Sequence, residues 1–169
     1  MGKLNLIPGL RYDILQAGSI TTDSDDEVEG YKSYHLSPKI AGIYQITDND
    51  TLKVSYARGF NNIDAAVWQW FNDNPYYDPL VKPYKLLSPT YTDYETIYEK
   101  YLPNIKLKGD VTTYYDVIRH ALGWEDAVNN YANASKDIQG VGQEYMFKYL
   151  PSDKLEAFFA YGWSRPIDS

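Results

Sequence analysis

Cysteine is absent from the 169 residues of this chain. That removes disulfide frameworks, thiolate nucleophiles and cysteine-ligated zinc together. Only two histidines, His35 and His120, are available for metal binding or proton transfer. No run of 18 apolar residues occurs, so no helix is expected to cross a membrane. Positive charge is scarce: 16 Lys and Arg stand against 23 Asp and Glu, a formal net charge of -7. A chain of that sign repels a phosphate backbone, so nucleic acid is not an expected partner. Met1-Gly2-Lys3 followed by Leu4-Asn5-Leu6 holds too short an apolar core for an export signal.

Aromatic residues, by contrast, are abundant, with 18 Tyr and 4 Trp. Aromatic girdles at membrane interfaces produce such an excess, and so does a Tyr-rich soluble sheet. The mean hydropathy of -0.51 does not exclude a membrane barrel, in which only alternate strand residues meet lipid.

The stretch Leu36 to Phe60 reads as two strands around the polar turn Thr47-Asp48-Asn49-Asp50. Leu52, Val54, Tyr56 and Phe60 alternate with Lys53, Ser55, Ala57 and Gly59, a two-residue period that means β-strand. The same alternation recurs, giving about seven strands near 3–13, 34–46, 51–60, 91–101, 105–118, 138–149 and 154–163. Pro8 lies inside the first and would interrupt a ladder in a central strand. Long connections at 14–33, 61–87 and 119–137 alternate with short turns. Asp64 to Phe71 is expected to form a helical turn or two before the prolines stop it. The fold class is all-β: an antiparallel meander. Long loops at one end and short turns at the other are the habit of outer-membrane barrels.

Particular motifs carry a family resemblance. SPKIAGIYQITDNDTLKVSYARGF at 37–60 resembles the signature hairpin of TonB-dependent outer-membrane receptors. IPGLRYD at 7–13, TDYETIYEKYL at 92–102 and NASKDIQGVGQEYMFKYLPSDKLEAFFAYGW at 133–163 follow in the family's order. The resemblance implies that residues 1–169 are one partial β-barrel of a bacterial outer-membrane receptor, with lipid outside. Such barrels have about 22 strands around a plug. An odd count of strands and the lack of a plug-like segment make this an expected internal to C-terminal piece, not transport-competent alone. The implied partners are outer-membrane lipid, the TonB system acting through a plug, and a ferric siderophore or similar small ligand.

No catalytic set emerges, and the chain is not expected to be an enzyme or to hold a cofactor. No Gly-x-Ser-x-Gly elbow occurs, and Gly140-Val141-Gly142 carries no phosphate-loop signal. No metal site is expected: His35 and His120 lack the spacing of a known one. The acidic run Asp23 to Glu29 lacks the fixed Gly and terminal Glu of a calcium loop and reads as solvated. Two sets of candidate binding residues remain. Trp68, Trp70, Phe71, Tyr76 and Tyr77 offer stacking surfaces to a ligand; packing on one another is the plainer account. Arg11, Lys39, Arg58, Glu95 and Glu144 are expected to face the barrel lumen. The rival to a transport receptor is a soluble or secreted β-sheet module that grips a glycan or protein with aromatic loops.

Overall fold

The computed structural model describes residues 2–16, 18, 20–21, 27–28, 32–63, 86–126, 130–152 and 154–167. Seven long strands form a single sheet in chain order. They are β1 (Lys3–Gln16), β4 (Lys32–Gln45), β5 (Asp50–Phe60), β6 (Thr90–Leu102), β7 (Leu107–Arg119), β10 (Ile138–Ser152) and β11 (Leu155–Ile167). Every neighbouring pair is antiparallel. This is the expected meander. Two short ladders lie in the long connections: β2 (Ile20–Thr21) with β3 (Glu27–Val28), and β8 (Leu122–Glu125) with β9 (Asn130–Asn133).

Antiparallel partners directly opposite each other project to the same side, so the registers assign the faces. Across the apolar face, one row runs Ile40, Tyr56, Tyr94, Tyr115, Val141. The next row but one runs Tyr44, Leu52, Tyr98, Val111, Tyr145, Tyr161. Tyr56 and Tyr94 meet at 5.2 Å between ring centroids and Tyr94 and Tyr115 at 6.0 Å. Such cross-strand aromatic pairs hold a register, because a one-residue slip would turn every ring to the opposite side.

The apolar face has no covering layer among the described residues. Leu6 is 63%, Leu10 71% and Phe159 59% exposed. Among those residues the buried apolar side chains are Ile63, Leu86, Pro89 and Val117. Ile63 and Leu86 form a small cluster, with Leu122 and Tyr131 packed against it, at the end of the sheet with the long connections. Along β6 the exposure alternates strictly: Tyr94, Thr96, Tyr98 and Lys100 are exposed, while Asp93, Glu95, Ile97 and Glu99 are half-buried. The polar side is thus the more crowded one here, as on the inside of a curved sheet.

Pro8 does not interrupt the ladder. It stands opposite Ile40 in an unbroken register from Lys3–Gln45 to Gln16–Lys32. β1 pairs on one side only, and an edge strand tolerates a residue without an N–H. The turn between β6 and β7 is a 3-10 turn, Pro103–Ile105, closed by Lys106 at φ 52. The strand expected from Ile105 therefore begins at Leu107. Lys106 also joins two short turns: its carbonyl accepts from Leu150 N at 3.0 Å, and its Nζ donates to the Pro151 carbonyl at 3.2 Å. The helical turns expected over 64–71 lie outside the described residues.

Candidate functional site

The polar face is built by the residues between the apolar ones. Its rows, read across the strands, are Gly9, Lys39, Ala57, Asp93, Asp116, Gly140; then Ile7, Ala41, Ser55, Glu95, Tyr114, Gly142. Asn5, Ile43, Lys53, Ile97, Thr112 and Glu144 follow. Cations sit toward β1 and β4 and carboxylates toward β6 and β7. Several of the charges are locally answered. Lys53 Nζ reaches Glu99 Oε1 at 2.9 Å, and Lys108 reaches the same oxygen at 3.6 Å. Lys148 reaches Glu156 at 2.7 Å.

Of the charges picked out in the sequence, Arg11, Lys39, Glu95 and Glu144 occupy this set of rows. Arg58 does not; it pairs with Thr92, in step with Tyr56 and Tyr94. Position along the strand nevertheless brings Arg58 to Lys39 and Arg11. The β4–β5 ladder ends at Lys39–Ala57. Beyond it β4 pairs only with β1, from Pro38 to Lys32, and β5 only with β6, from Arg58 to Phe60. A cleft of about 500 Å³ lies where the two strands part, lined by Gly9, Arg11, Ser37, Lys39, Arg58 and Phe60 among others. The Phe60 ring stacks flat on His35, 3.8 Å between centroids and 8° between planes. Glu95 and Glu144 do not line this cleft.

The cations of the cleft differ in their partners. Arg11 holds Asp13 Oδ1 through Nε at 2.9 Å and Nη2 at 2.8 Å. Among the described residues, neither Lys39 nor Arg58 has a carboxylate within ion-pair distance, unlike Lys53, Lys100, Lys108, Arg119 and Lys148. The Lys39 stem lies over Gly9, where a Cβ would stand 2.5 Å from Lys39 Cε. Glycine there is what lets the lysine lie down on β1.

The two histidines are not brought together: His35 is stacked on Phe60, and His120 sits at φ 55 just beyond β7. Among the described residues no group of three metal-ligating side chains occurs. Trp68, Trp70, Phe71, Tyr76 and Tyr77 lie outside the described residues.

Two ties escaped the sequence. Asn133 Oδ1 accepts from Leu87 N at 2.7 Å, while its Nδ2 donates to the carbonyls of Leu87 at 2.8 Å and His120 at 2.7 Å. One amide side chain thereby copies a strand partner and joins two long connections. Its only sequence signal is an Asn-rich tract, which says nothing of a partner 46 residues away. At the opposite end, Asp50 closes the β4–β5 turn. It accepts from Tyr98 Oη at 2.6 Å and Lys100 Nζ at 2.9 Å, and from Thr47 Oγ1 at 2.5 Å. These bonds, that from Thr47 foremost, then Tyr98 and Lys100, hold its carboxyl below the usual carboxylate range.

The family described as TonB dependent receptor-like, beta-barrel matches residues 1–141. The chain belongs to that family. Two solved structures of the FrpB iron transporter from Neisseria meningitidis share its fold. The apoprotein of the F5-1 variant gives a TM-score of 0.66 at 19% identity, over 96% of this chain and 23% of that one. The F3-3 variant gives 0.67 at 19% identity, with the same coverage of 96% and 23%. A structure titled "Copper transporter OprC" gives 0.62 at 16% identity, over 96% of this chain and 27% of that one. At these identities the likeness is one of fold, and the chain spans about a quarter of the length of each relative. No curated protein matches the chain in sequence.

Proposed function

We propose that this chain is part of the β-barrel wall of an outer-membrane receptor that imports a scarce small ligand, such as a ferric siderophore, with energy from TonB. The observation that carries this is the segregation of the two faces. Seven strands keep an apolar face uncovered and a charged face opposite it. Water on both sides would make that arrangement costly; lipid on one side and a polar lumen on the other makes it stable. A soluble aromatic-loop module would bury Tyr98 and Phe159 in a core, yet they are 37% and 59% exposed.

In this reading the wall does no covalent chemistry. Arg11, Lys39, Glu95 and Glu144 line the lumen, where a plug supplied by the whole protein would contact them. Trp68, Trp70, Phe71, Tyr76 and Tyr77, on the longest connection, give the ligand aromatic surfaces outside the cell. The iron and copper named in the titles of the similar structures support a metal-bearing ligand. The test is uptake of a panel of radiolabelled ferric siderophores by cells carrying the full-length protein, with and without TonB. TonB-dependent uptake of one of them, lost in Trp68→Ala/Trp70→Ala cells whose outer membranes hold normal amounts of the protein, is the expected result. Localisation of the full-length protein outside the outer membrane would refute the proposal.

A further inference from the structure

We infer that the cleft between β4 and β5 is an oxyanion seat: it takes a carboxylate or phosphate group of a soluble ligand. The inference deepens the proposed uptake role by naming the charge of the ligand, and it rests on that reading only for the direction of approach. Three observations converge on it. First, Lys39 and Arg58 flank the cleft without a carboxylate partner among the described residues, whereas Lys53, Lys100, Lys108, Arg119 and Lys148 each have one. Arg11 is the third cation, with Asp13 occupying one edge of its guanidinium. Second, the ladder is open there: β4 from Lys32 to Pro38 and β5 from Arg58 to Phe60 have no strand partner across the gap. Backbone polar groups at such an edge seek a partner. Third, the floor is made of small residues, Gly9, Ser37, Ala57 and Gly59, so the concavity of about 500 Å³ is open to a group of small-molecule size.

The chemistry selects the class. A guanidinium presents a planar fork that matches a carboxylate or phosphate, and an ammonium adds a compact charge from another side. A bare metal cation is disfavoured by the same residues: three positive side chains line the space, and Asp13, whose Oδ1 holds Arg11, is not among the lining residues. The Phe60 ring, backed by His35, gives the cleft ring surface, suited to the carbon skeleton that bears the anion.

The test is calorimetric titration of the full-length protein, purified in neutral detergent, with citrate, inorganic phosphate and the uncharged sugar raffinose. A further arm dopes the micelles with phosphatidylglycerol. Citrate or phosphate should bind and raffinose should not. Lys39→Gln/Arg58→Gln should weaken that binding at least tenfold, and Arg165→Gln, a cation on the far edge strand β11, should leave it unchanged. Ala57→Asp, which fixes a carboxylate beside both cations, should abolish it; each variant's unfolding midpoint shows that it is folded. Failure of both anions to bind, or binding indifferent to the double substitution, overturns the inference. A response to phosphatidylglycerol alone overturns the soluble source. None of these outcomes depends on uptake, so the seat and the transport role stand or fall separately.

Discussion

The ring of Tyr114 lies across Gly142 on the neighbouring strand, and its hydroxyl end occupies the place where a Cβ at that position would stand. Gly142 is buried beneath it. The pairing fills a bare backbone with an aromatic face from the next strand, on the polar side of the sheet. Gly142→Ala should therefore push the ring off β10. The expected cost is about 1 kcal/mol, at the low end for overpacking because a ring can swing. Gly59→Ala, with nothing within 4 Å of its new carbon, is the control. Urea unfolding of the full-length protein in detergent measures both. The further substitution Tyr114→Ser should cost less in the Gly142→Ala background than alone, since the clash is then gone.

Asn133 should govern the end of the sheet with the long connections. Replacing it by Ala removes three hydrogen bonds, to Leu87 N, Leu87 O and His120 O. Each bond is worth about 1 kcal/mol net, and the loss falls on local opening rather than on the central ladders. Amide hydrogen exchange at Leu87 should accelerate at least tenfold. Exchange at Val54 and Val111, inside the sheet, should not change.

What the sequence made legible follows from where alternation is enforced. Between Leu52 and Tyr56, or Tyr94 and Tyr98, one side of the strand is apolar and the other polar, so the period shows. Past Asp13 the ladder runs on to Gln16 opposite Lys32, but Ile14 and Leu15 put apolar side chains on both sides and the period fades. The connection from 14 to 33 consequently reads as longer than it is. Two left-handed residues, Lys106 and His120, are neither Gly nor Asn and carry no turn signal. Gly142 looks uninformative in the sequence because its reason lies on another strand, in Tyr114. For the same cause Arg58 appears to belong with the lumen charges, when its ladder places it with Tyr56 and only the parting of β4 and β5 brings it to Lys39.

Asp50 gives the β4–β5 turn a dependence on pH. Its folded carboxyl titrates below the ordinary value of 3.8 because Thr47, Tyr98 and Lys100 all donate to it. A depressed carboxylate contributes stability that is present above its unfolded pKa and is lost as pH falls through the folded one. The parental turn should thus hold at neutral pH and weaken in acid, below about pH 4. Asp50→Asn keeps the shape and removes the charge. Its unfolding midpoint should lie below the parental one at pH 7, and the gap should narrow at pH 3. An unchanged gap between the two pH values would show that the charge plays no part.

Val54 and Ser55 are adjacent and face opposite ways, which makes them the sharpest test of the membrane reading. Val54 lies opposite Gly42 and Thr96 on the apolar face and is 49% exposed. Ser55 lies opposite Ala41 and Glu95 on the polar one. An arginine in place of Val54 would project into hydrocarbon, at a cost of about 2–4 kcal/mol near the bilayer midplane. An arginine in place of Ser55 would meet lumen water and have the Glu95 carboxylate on the next strand. Folding of the full-length protein into lipid vesicles should therefore fail or lose that much stability for Val54→Arg, while Ser55→Arg stays within about 0.5 kcal/mol of the parent. In water a half-exposed valine tolerates arginine with little loss, so a soluble module would show no such difference. Equal stability of the two variants in vesicles would remove lipid from the apolar face and the barrel from the proposal.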